Sequence, residues 1–396
     1  MKLKQSIIEN RNVFIILSLL ITVLIRIPFL PKNINFNNDA VLYSENIEKE
    51  YFSGTYDVQV PGYISYIYLG RVINAFLNNP VRTQHLINIF LTFFITLFFF
   101  KLLESLNFKK YEAFIFTIIF SFNNIMFIGS LTGGNRLFLV LCSIILILIS
   151  IKIIINNKSE FILLFSFFFG FFIGFRQDIS FYFIPLYIYL FLKIKDYKLI
   201  LFSLLIFIIT CLCWFMPLII EYGGFGSYID KILNQRAVYN TSIILSKSKL
   251  SALINMARVF IYMLNAYLLI YPVTIYLLIK KQYSISKELF IILLLSLLPA
   301  FIFQLLVHNG NYVHLAAFMV PFFIILILNF NLYNIKRIIF SFCIILLLLF
   351  QFFGIHMFKG ESFYKKATNV LWLQYSYDGI KSGQTYRLYD LKEEEN

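Results

Sequence analysis

Long apolar runs separated by short polar segments form the pattern of this chain over most of its length. A transmembrane helix needs about 20 mainly apolar residues, within a range of about 17–25. Eleven runs are near that length and are candidate spans: 13–30, 86–103, 114–130, 137–155, 161–175, 179–192, 199–220, 259–279, 289–307, 313–330 and 338–357. The pattern therefore predicts an all-α fold, a polytopic transmembrane helical bundle of about 11 spans.

Two further helices are predicted between the first and second spans, in the loop 31–85. In segment 40–52, Tyr43, Ile47 and Tyr51 recur every four residues, and most of the charged residues lie elsewhere on the helix wheel. This amphipathic pattern is typical of a helix lying along a membrane surface. Segment 62–77 is apolar but short and contains Arg71, so we interpret it as a second interfacial or re-entrant helix.

The distribution of lysine predicts the orientation of the bundle. Short loops rich in Lys and Arg are typical of the cytoplasmic side. The first run is longer than a signal-peptide core and no small-residue cleavage site follows it, so it is expected to remain as an anchor with the N-terminus inside. Threading the spans from there puts these basic residues in the cytoplasm: Lys101, Lys109, Lys110, Lys152, Lys158, Lys193, Lys195, Lys198, Lys280, Lys281, Lys287, Lys336 and Arg337.

The same threading places the large loops outside the cytoplasm. They are 31–85 and 221–258, and a tail, 358–396, follows the membrane domain 1–357 on the same side. The predicted location is the plasma membrane, with the N-terminus cytoplasmic and the C-terminus extracytoplasmic. Large loops on one face and tight basic turns on the other place any chemistry on the outer face.

Composition excludes several classes of protein. The chain has 396 residues, of which 60% are hydrophobic and only 14% charged, whereas globular chains carry about 25% charged residues. The formal net charge of +14 arises mainly from the short basic loops, so it does not indicate binding to nucleic acid. Four cysteines lie inside apolar runs and indicate neither a disulfide framework nor a zinc site: Cys142, Cys211, Cys213 and Cys343.

Charged residues inside apolar runs are costly and are functional candidates by default. Arg26, near the outer end of the first span, is either a snorkelling anchor or such a candidate. Arg176 and Asp178 join two short spans, so their turn is expected to be recessed and to face protein or a wet cavity. Residues two apart on a helix do not face each other, so we expect each to have another partner, with a structural ion pair across the bundle as the alternative. Gly170 and Gly174 form a small-xxx-small pair that predicts a helix-packing contact.

Two outer segments carry further candidate chemistry. Asn38 or Asp39 can cap the amphipathic helix that follows, and such a cap can also present a free carboxylate oxygen to a cavity. The turn from His308 to His314 contains Asn, Gly and Tyr312 between its two histidines. Those imidazoles are either satisfied interfacial groups or, when protonated, anion binders.

Several of these segments together resemble a known superfamily. They are an Arg/Pro segment ending the first span at 26–30, an acidic residue opening an interfacial helix at 38–43, a Pro-Gly-Tyr at 60–63, a helix end at 174–176, and 308–321 with its closing Pro. The combination is similar to the GT-C glycosyltransferases, and more narrowly to bacterial relatives of the protein O-mannosyltransferases and the lipid A aminoarabinose transferases. The resemblance covers nearly the whole chain as topology and about a tenth of it as motif.

The resemblance implies an inverting glycosyltransferase that moves a sugar from a polyprenyl-phosphate donor to an acceptor on the extracytoplasmic face. Asp39 matches the acidic residue that acts as general base in the family. The donor phosphate is expected to meet cations on the outer side, and Asp178, Tyr63 and Tyr312 complete the substrate-binding candidates. The cations are Arg176 and His308, with Arg136 and Arg236 as further candidates.

The sequence leaves alternative functions open. The expected partners are the lipid-linked donor, a lipid, polysaccharide or protein acceptor and the bilayer, and no metal ligand set is predicted, although use of a divalent cation is left open. A related alternative is an O-antigen polymerase or ligase, which is also an outward-facing transferase. A lipid-linked sugar flippase or transporter would need charged residues deep in the bundle and an internal repeat, and the sequence shows no such repeat.

Overall fold

The computed structural model describes twelve α-helices and no strand within residues 11–26, 38–52, 56, 58, 62–123, 126, 129–130, 133–238, 253, 256–257, 259, 286–306 and 315–330. The helices are α1 (Arg11–Leu24), α2 (Asn38–Glu48), α3 (Ile64–Leu77), α4 (Pro80–Ser105), α5 (Lys110–Ser121), α6 (Leu137–Ile154), α7 (Phe161–Phe175), α8 (Asp178–Lys193), α9 (Tyr197–Glu221), α10 (Phe225–Val238), α11 (Lys287–Leu306) and α12 (Ala316–Phe330). The all-α prediction is confirmed for this part of the chain.

Within the described residues, four helices are long and apolar enough to cross a membrane: α4, α6, α9 and α11. At 1.5 Å per residue, the 26 residues of α4 extend about 39 Å and the 18 of α6 about 27 Å. Shorter apolar helices occur in α1, α3, α7 and α12. The count of eleven spans stays a prediction, because the segment 338–357 and all but Val259 of 259–279 lie outside the described residues.

Two predicted helix boundaries are wrong. Helix α4 begins at Pro80 rather than at residue 86, because Asn79 caps it by accepting a hydrogen bond from the Arg82 backbone N–H at 2.9 Å and proline suits the first helical turn. The segment predicted as the loop 31–85 therefore ends at residue 79. Helix α5 ends at Ser121, after 12 residues, whereas the hydrophobic run had predicted a helix as far as residue 130. The chain leaves the helix through Phe122 and Asn123.

Helix α6 lies at the centre of the bundle. Most of its residues are buried, and it packs against α4, α7, α11 and α12. By contrast, α9 packs mainly against α7 and leaves its other side exposed. A helix that is apolar all round and exposed on one side is suited to contact with lipid.

The two predicted packing glycines lie at the contact of α7 with α9. A Cβ atom at Gly170 would lie 3.0 Å from Thr210 Cβ, and one at Gly174 would lie 2.6 Å from Trp214 Cγ. The Trp214 indole N–H also donates to the Gly170 carbonyl oxygen at 3.0 Å. The glycines therefore let the two backbones approach closely, and the predicted packing contact is confirmed.

Arg26 ties the end of α1 to the rest of the bundle. Its side chain is buried and donates to Ser130 Oγ and to the Thr22 carbonyl oxygen, each at 2.6 Å, and to the carbonyl oxygen of Ser121. A snorkelling side chain would reach water or lipid headgroups, so the snorkelling interpretation is wrong. Arg26 instead fixes where α1 ends against α5.

The helix ends segregate into two groups. The ends of α4, α6 and α8 that carry Lys101, Lys152 and Lys193 face the same side as the starts of α5 and α9. The opposite ends meet α2 and α3 through the contacts described below. We call these two sides the lysine end and the arginine end of the bundle.

Candidate functional site

The start of α2 lies against the turn that precedes α6. A Cβ atom at Gly133 would lie 2.9 Å from Ala40 Cβ and 2.9 Å from Gln84 Oε1. Gln84 in turn donates to the Ala40 carbonyl oxygen at 2.8 Å and to Ser44 Oγ at 2.7 Å. Asp39 is the residue before Ala40 and the second residue of α2, so its backbone lies at this junction, while its side chain lies outside the described atoms.

The turn that precedes α6 also contacts Arg176, through Asn135. Asn135 Oδ1 accepts from Arg176 Nη1 at 3.1 Å, and Asn135 Nδ2 donates to the Phe175 carbonyl oxygen at 2.9 Å. Asn135 is buried and therefore connects the start of α6 to the end of α7. Through it, the start of α2 and the Arg176 side chain come to the same region of the arginine end.

Arg176 and Asp178 form a two-point ion pair. Arg176 Nε donates to Asp178 Oδ1 at 3.1 Å and Nη2 donates to Oδ2 at 2.8 Å. The expectation that these residues would not face each other is wrong, because Arg176 is not helical: its φ and ψ of −154° and 109° are extended. An extended residue followed by a helix start brings both side chains to one side of the turn.

The ion pair is buried and joined to a third helix. Arg176 is 4% exposed and the Asp178 side chain is 20% exposed, as expected for a recessed turn. Tyr182 donates to Asp178 Oδ2 at 3.4 Å, and Gln304 Nε2 of α11 donates to the Tyr182 hydroxyl at 3.5 Å. We refer to Arg176, Asp178, Asn135 and Tyr182 as the Arg176 cluster.

Arg176 retains hydrogen-bonding capacity for a ligand. Of the five N–H donors in a guanidinium, three are used by Asp178 and Asn135. The two that remain, one on each terminal nitrogen, have no acceptor in the described part of the chain. Burial is the largest single effect and lowers the pKa of Arg176, but the charge and hydrogen bonds of Asp178, together with Tyr63 and Tyr43, raise it by more in total. The net shift of the pKa is upward, so the side chain stays a cation.

Aromatic rings line the cluster on the side of α3. The Arg176 guanidinium lies 5.6 Å from the centre of the Tyr63 ring, a cation–π contact. Tyr63 itself has a left-handed backbone, with φ of 44°, directly after Gly62 with φ of 102°. Tyr43 of α2 contacts Tyr63 edge-on at 5.9 Å and Tyr66 at 5.3 Å. The predicted substrate-binding residue Tyr63 is thus placed beside Arg176.

Arg136 lies at the same end, next to Asn135 and half-buried. Burial raises the pKa of the Tyr66 hydroxyl, and the Gly134 N–H and the positive charge of Arg136 partly offset this. The Tyr66 hydroxyl also donates to Gln84 Oε1 at 3.2 Å. Arg136 therefore adds a second positive charge near the start of α2.

Gln177 is a polar residue of this turn that the sequence did not single out. Both polar atoms of its amide are buried, and neither has a hydrogen-bond partner among the residues that the structure describes. Its position between Arg176 and Asp178 was the only available signal. A paired donor and acceptor without protein partners could meet a hydroxyl or amide of a substrate.

A second buried ion pair lies at the other side of α3. Arg71 Nη1 donates to Glu221 Oε1 at 2.5 Å, and the two side chains are 3% and 0% exposed. Arg71 Nε donates to the Asn46 carbonyl oxygen at 3.0 Å, near the end of α2. The pair links α2 and α3 to the last residue of α9. We refer to Arg71 and Glu221, with Tyr51 and Tyr68 around them, as the Arg71 cluster.

The remaining predicted residues are placed only in part. Arg236 lies on α10, a helix within the segment 221–258 that the sequence treated only as a loop, and its side chain lies outside the described atoms. His308 and Tyr312 lie outside the described residues altogether. Their roles therefore stay predictions.

A cavity of about 470 Å³ lies at the lysine end, between the last turn of α6, Lys193 and Glu288. Helix α8, with 16 residues, puts about 24 Å between Asp178 and that cavity. The cavity is therefore separate from the Arg176 cluster. Within the ranges given above, no group of three or more His, Cys, Asp or Glu side chains could hold a metal ion.

No protein family, no curated protein and no solved structure matches this chain. The resemblance to the GT-C glycosyltransferases therefore stays a prediction from sequence motifs.

Proposed function

We propose that this protein is an inverting glycosyltransferase that moves a sugar from a polyprenyl-phosphate donor to an acceptor at the arginine end of its bundle. The observation that carries the proposal is the meeting of the α2 start with the turn that holds Arg176. That meeting places a carboxylate-bearing helix start and a buried cation in one region, and displacement at a sugar carbon needs both.

In the proposed reaction the acceptor oxygen attacks the anomeric carbon and the bond from that carbon to the phosphate oxygen breaks. Asp39 takes the proton of the acceptor hydroxyl, and the electron pair of the broken bond goes to the phosphate. The phosphate changes from a monoanionic diester to a dianionic monoester. A group that binds the phosphate therefore binds the product side, and the transition state before it, more strongly than the bound donor.

Arg176 is suited to binding the phosphate because its side chain is held in place. Asp178 and Asn135 fix its orientation through three of the five N–H donors of the guanidinium. Since Asp178 balances its charge, the stabilisation comes from oriented donors in a buried site rather than from a free charge. Arg136 supplies further positive charge at the same end.

The distribution of buried charge favours a transferase over a transporter. Among the described residues, the buried charged side chains are Arg26, Arg71, Glu112, Arg176 and Glu221. All but Arg71 lie at or near a helix end, and Arg71 lies midway along α3, which is shorter than the four candidate spans. A flippase would need ionisable groups near the membrane midplane. The proposed sidedness, with the lysine end in the cytoplasm, follows the positive-inside rule.

The general base is tested by Asp39→Asn in membranes supplied with a polyprenyl-phosphate sugar. We expect the rate of transfer to fall by about 100-fold to 10,000-fold, the usual contribution of a positioned base. Glu45→Gln is the matched control, since Glu45 is exposed on the same helix. Turnover of Asp39→Asn at the level of Glu45→Gln would remove Asp39 as the base.

The role of Arg176 is tested by measuring donor and acceptor binding separately. Arg176→Ala should weaken donor binding by about tenfold to 100-fold, since hydrogen bonds to charged groups contribute about 1.5–3 kcal/mol, and should change acceptor binding little. Arg82→Ala, at an exposed arginine of the same end, is the control. Equal losses for donor and acceptor would show that Arg176 only holds the turn together.

A further inference from the structure

The Arg71 cluster contains a carboxylate whose two oxygens are used very unequally. Glu221 Oε1 accepts from Arg71 Nη1 at 2.5 Å, from the Tyr68 hydroxyl at 3.0 Å and from the Phe52 backbone N–H at 3.2 Å. Glu221 Oε2 is buried and has no hydrogen-bond partner in the part of the chain that the structure describes. One oxygen of the pair is therefore saturated and the other is unused.

The arginine shows the matching feature. Arg71 Nη1 and Nε are bonded to Glu221 and to the Asn46 carbonyl oxygen, whereas Nη2 is buried without an acceptor among the same described residues. Leaving a buried polar atom unsatisfied costs about 1–3 kcal/mol, and more when it is charged. A donor and an acceptor left unsatisfied in one ion pair indicate a place where a polar ligand group belongs.

The chemistry of the two atoms defines that group. A hydroxyl is both a donor and an acceptor, so one hydroxyl can donate to Glu221 Oε2 and accept from Arg71 Nη2, and neighbouring hydroxyls can divide the two bonds between them. Two tyrosine rings flank the guanidinium, with Tyr51 at 5.0 Å and Tyr68 at 5.3 Å from its central carbon. Hydroxyl recognition beside aromatic faces suits a neutral sugar ring, which carries hydroxyls on its edge and C–H groups on its faces.

Tyr51 and Phe52, which follow α2 in the chain, lie against the ion pair. Tyr51 and Phe52 are 46% and 55% exposed, and Phe52 has a left-handed backbone with φ of 57°, which is uncommon for a bulky residue. From this segment, the Phe52 N–H donates to Glu221 Oε1 and the Tyr51 ring lies beside the Arg71 guanidinium.

The position of the pair relative to Asp39 identifies which substrate would reach it. Asn46, which accepts from Arg71, follows Asp39 by seven residues of the same helix, about 10 Å along its axis. A ring bound at that distance is not the ring that reacts beside Asp39. It is the next sugar of an acceptor that extends along α2.

We propose that Arg71 and Glu221 form a second subsite, which binds the hydroxyls of a neutral sugar ring in a saccharide acceptor of two or more rings. This proposal rests on the proposed function for the role of that acceptor in transfer, but the binding itself needs no donor. The Tyr51–Phe52 segment moves aside when the ring enters.

The test is saccharide binding to the full-length protein in lipid nanodiscs, measured by microscale thermophoresis. The probes are maltose, cellobiose and chitobiose, each compared with its own monosaccharide. We expect at least one disaccharide to bind about tenfold or more tighter than its monosaccharide, since one hydrogen bond to a charged group contributes about 1.5–3 kcal/mol. Glu221→Gln should remove that preference, because it replaces the unused acceptor oxygen with an amide donor.

The matched variant is Glu48→Gln, because Glu48 is an exposed carboxylate near the end of α2 and is not part of the Arg71 cluster. It should keep the disaccharide preference. If Glu221→Gln does not fold, Arg71→Lys serves instead, since it keeps the positive charge but lacks the second terminal nitrogen. Equal binding of mono- and disaccharides by the unmodified protein, an unchanged preference in Glu221→Gln, or an equal loss in Glu48→Gln would each overturn the subsite.

These outcomes are separate from those of the transfer assay. Equal binding of mono- and disaccharides by the unmodified protein, with Asp39-dependent turnover intact, would reject the subsite and leave the transferase standing. A disaccharide preference that depends on Glu221, together with full turnover of Asp39→Asn, would reject the proposed general base and leave the saccharide site.

Discussion

Removing one partner of the Arg71–Glu221 pair should cost this protein more stability than any exposed substitution. Glu221→Leu deletes the acceptor of three donors and leaves the Arg71 guanidinium buried without a counter-charge. Breaking a buried ion pair in this way costs about 3–5 kcal/mol, because the remaining charge stays desolvated. The Tyr68 hydroxyl and the Phe52 N–H add little, since both residues are partly exposed and can turn to water.

The expected loss in the free energy of unfolding is therefore about 3–5 kcal/mol. It can be measured by chemical or thermal unfolding of the purified protein in detergent, followed by tryptophan fluorescence. Glu48→Leu is the control, since Glu48 is exposed near the end of α2, and it should change stability by less than about 0.5 kcal/mol.

The double variant Arg71→Met with Glu221→Leu separates the charge from the packing. With both charges gone, most of the loss should be recovered, because apolar replacement of a whole buried pair is often neutral or stabilising. A Glu221→Leu variant as stable as Glu48→Leu, or a double variant no better than the single one, would refute the view that a buried counter-charge governs this junction.

Two other predictions concern packing and orientation. Gly174→Ala places a Cβ atom 2.6 Å from Trp214 Cγ and should destabilise the protein by about 1–3 kcal/mol in the same unfolding assay. The control is Gly226→Ala, which has nothing within 4 Å of the added Cβ atom and should be neutral or slightly stabilising. Equal effects of the two substitutions would contradict the close α7–α9 contact. Asn156 and Ser227 are exposed residues of the lysine end and the arginine end, respectively. In a background without native cysteines, Asn156→Cys and Ser227→Cys should react with a membrane-impermeant maleimide from opposite sides of sealed vesicles. Labelling of both cysteines from the same side would contradict the alternation of helices.

Local patterns were sufficient to predict several helices. The run 161–175 coincides with α7, and the run 179–192 lies one residue inside each end of α8. Both runs are bounded by polar residues on each side, so the sequence marks their ends. The early start of α4 is also predictable from the sequence, because Asn79 is a helix cap and Pro80 suits a first helical turn. The hydrophobic run alone begins later.

The contacts of the candidate site depend on parts of the chain that no local pattern relates. Arg71 and Glu221 are 150 residues apart, and Arg176 and Asn135 are 41 apart. Even the short-range pair of Arg176 and Asp178 was missed, because it depends on the extended backbone of Arg176 rather than on helical spacing. The arginine inside the apolar segment 62–77 led only to the interpretation of that segment as an interfacial or re-entrant helix, and no local pattern indicated Glu221 as its partner.

The central claim, that the start of α2 lies against the turn holding Arg176, is tested most directly by a cysteine pair at Ala40 and Gly133. A Cβ atom at 133 would lie 2.9 Å from that of Ala40, so a shift of less than about 1 Å reaches the spacing of a disulfide, about 3.5–4.5 Å. In a background without native cysteines, mild oxidation of Ala40→Cys with Gly133→Cys in membranes should give an intramolecular disulfide, seen as loss of both maleimide-reactive thiols. The control pair Ala40→Cys with Gly226→Cys should stay reduced. Two free thiols in the first pair after the same oxidation would contradict the account, since Asp39 would then have no structural reason to act with Arg176.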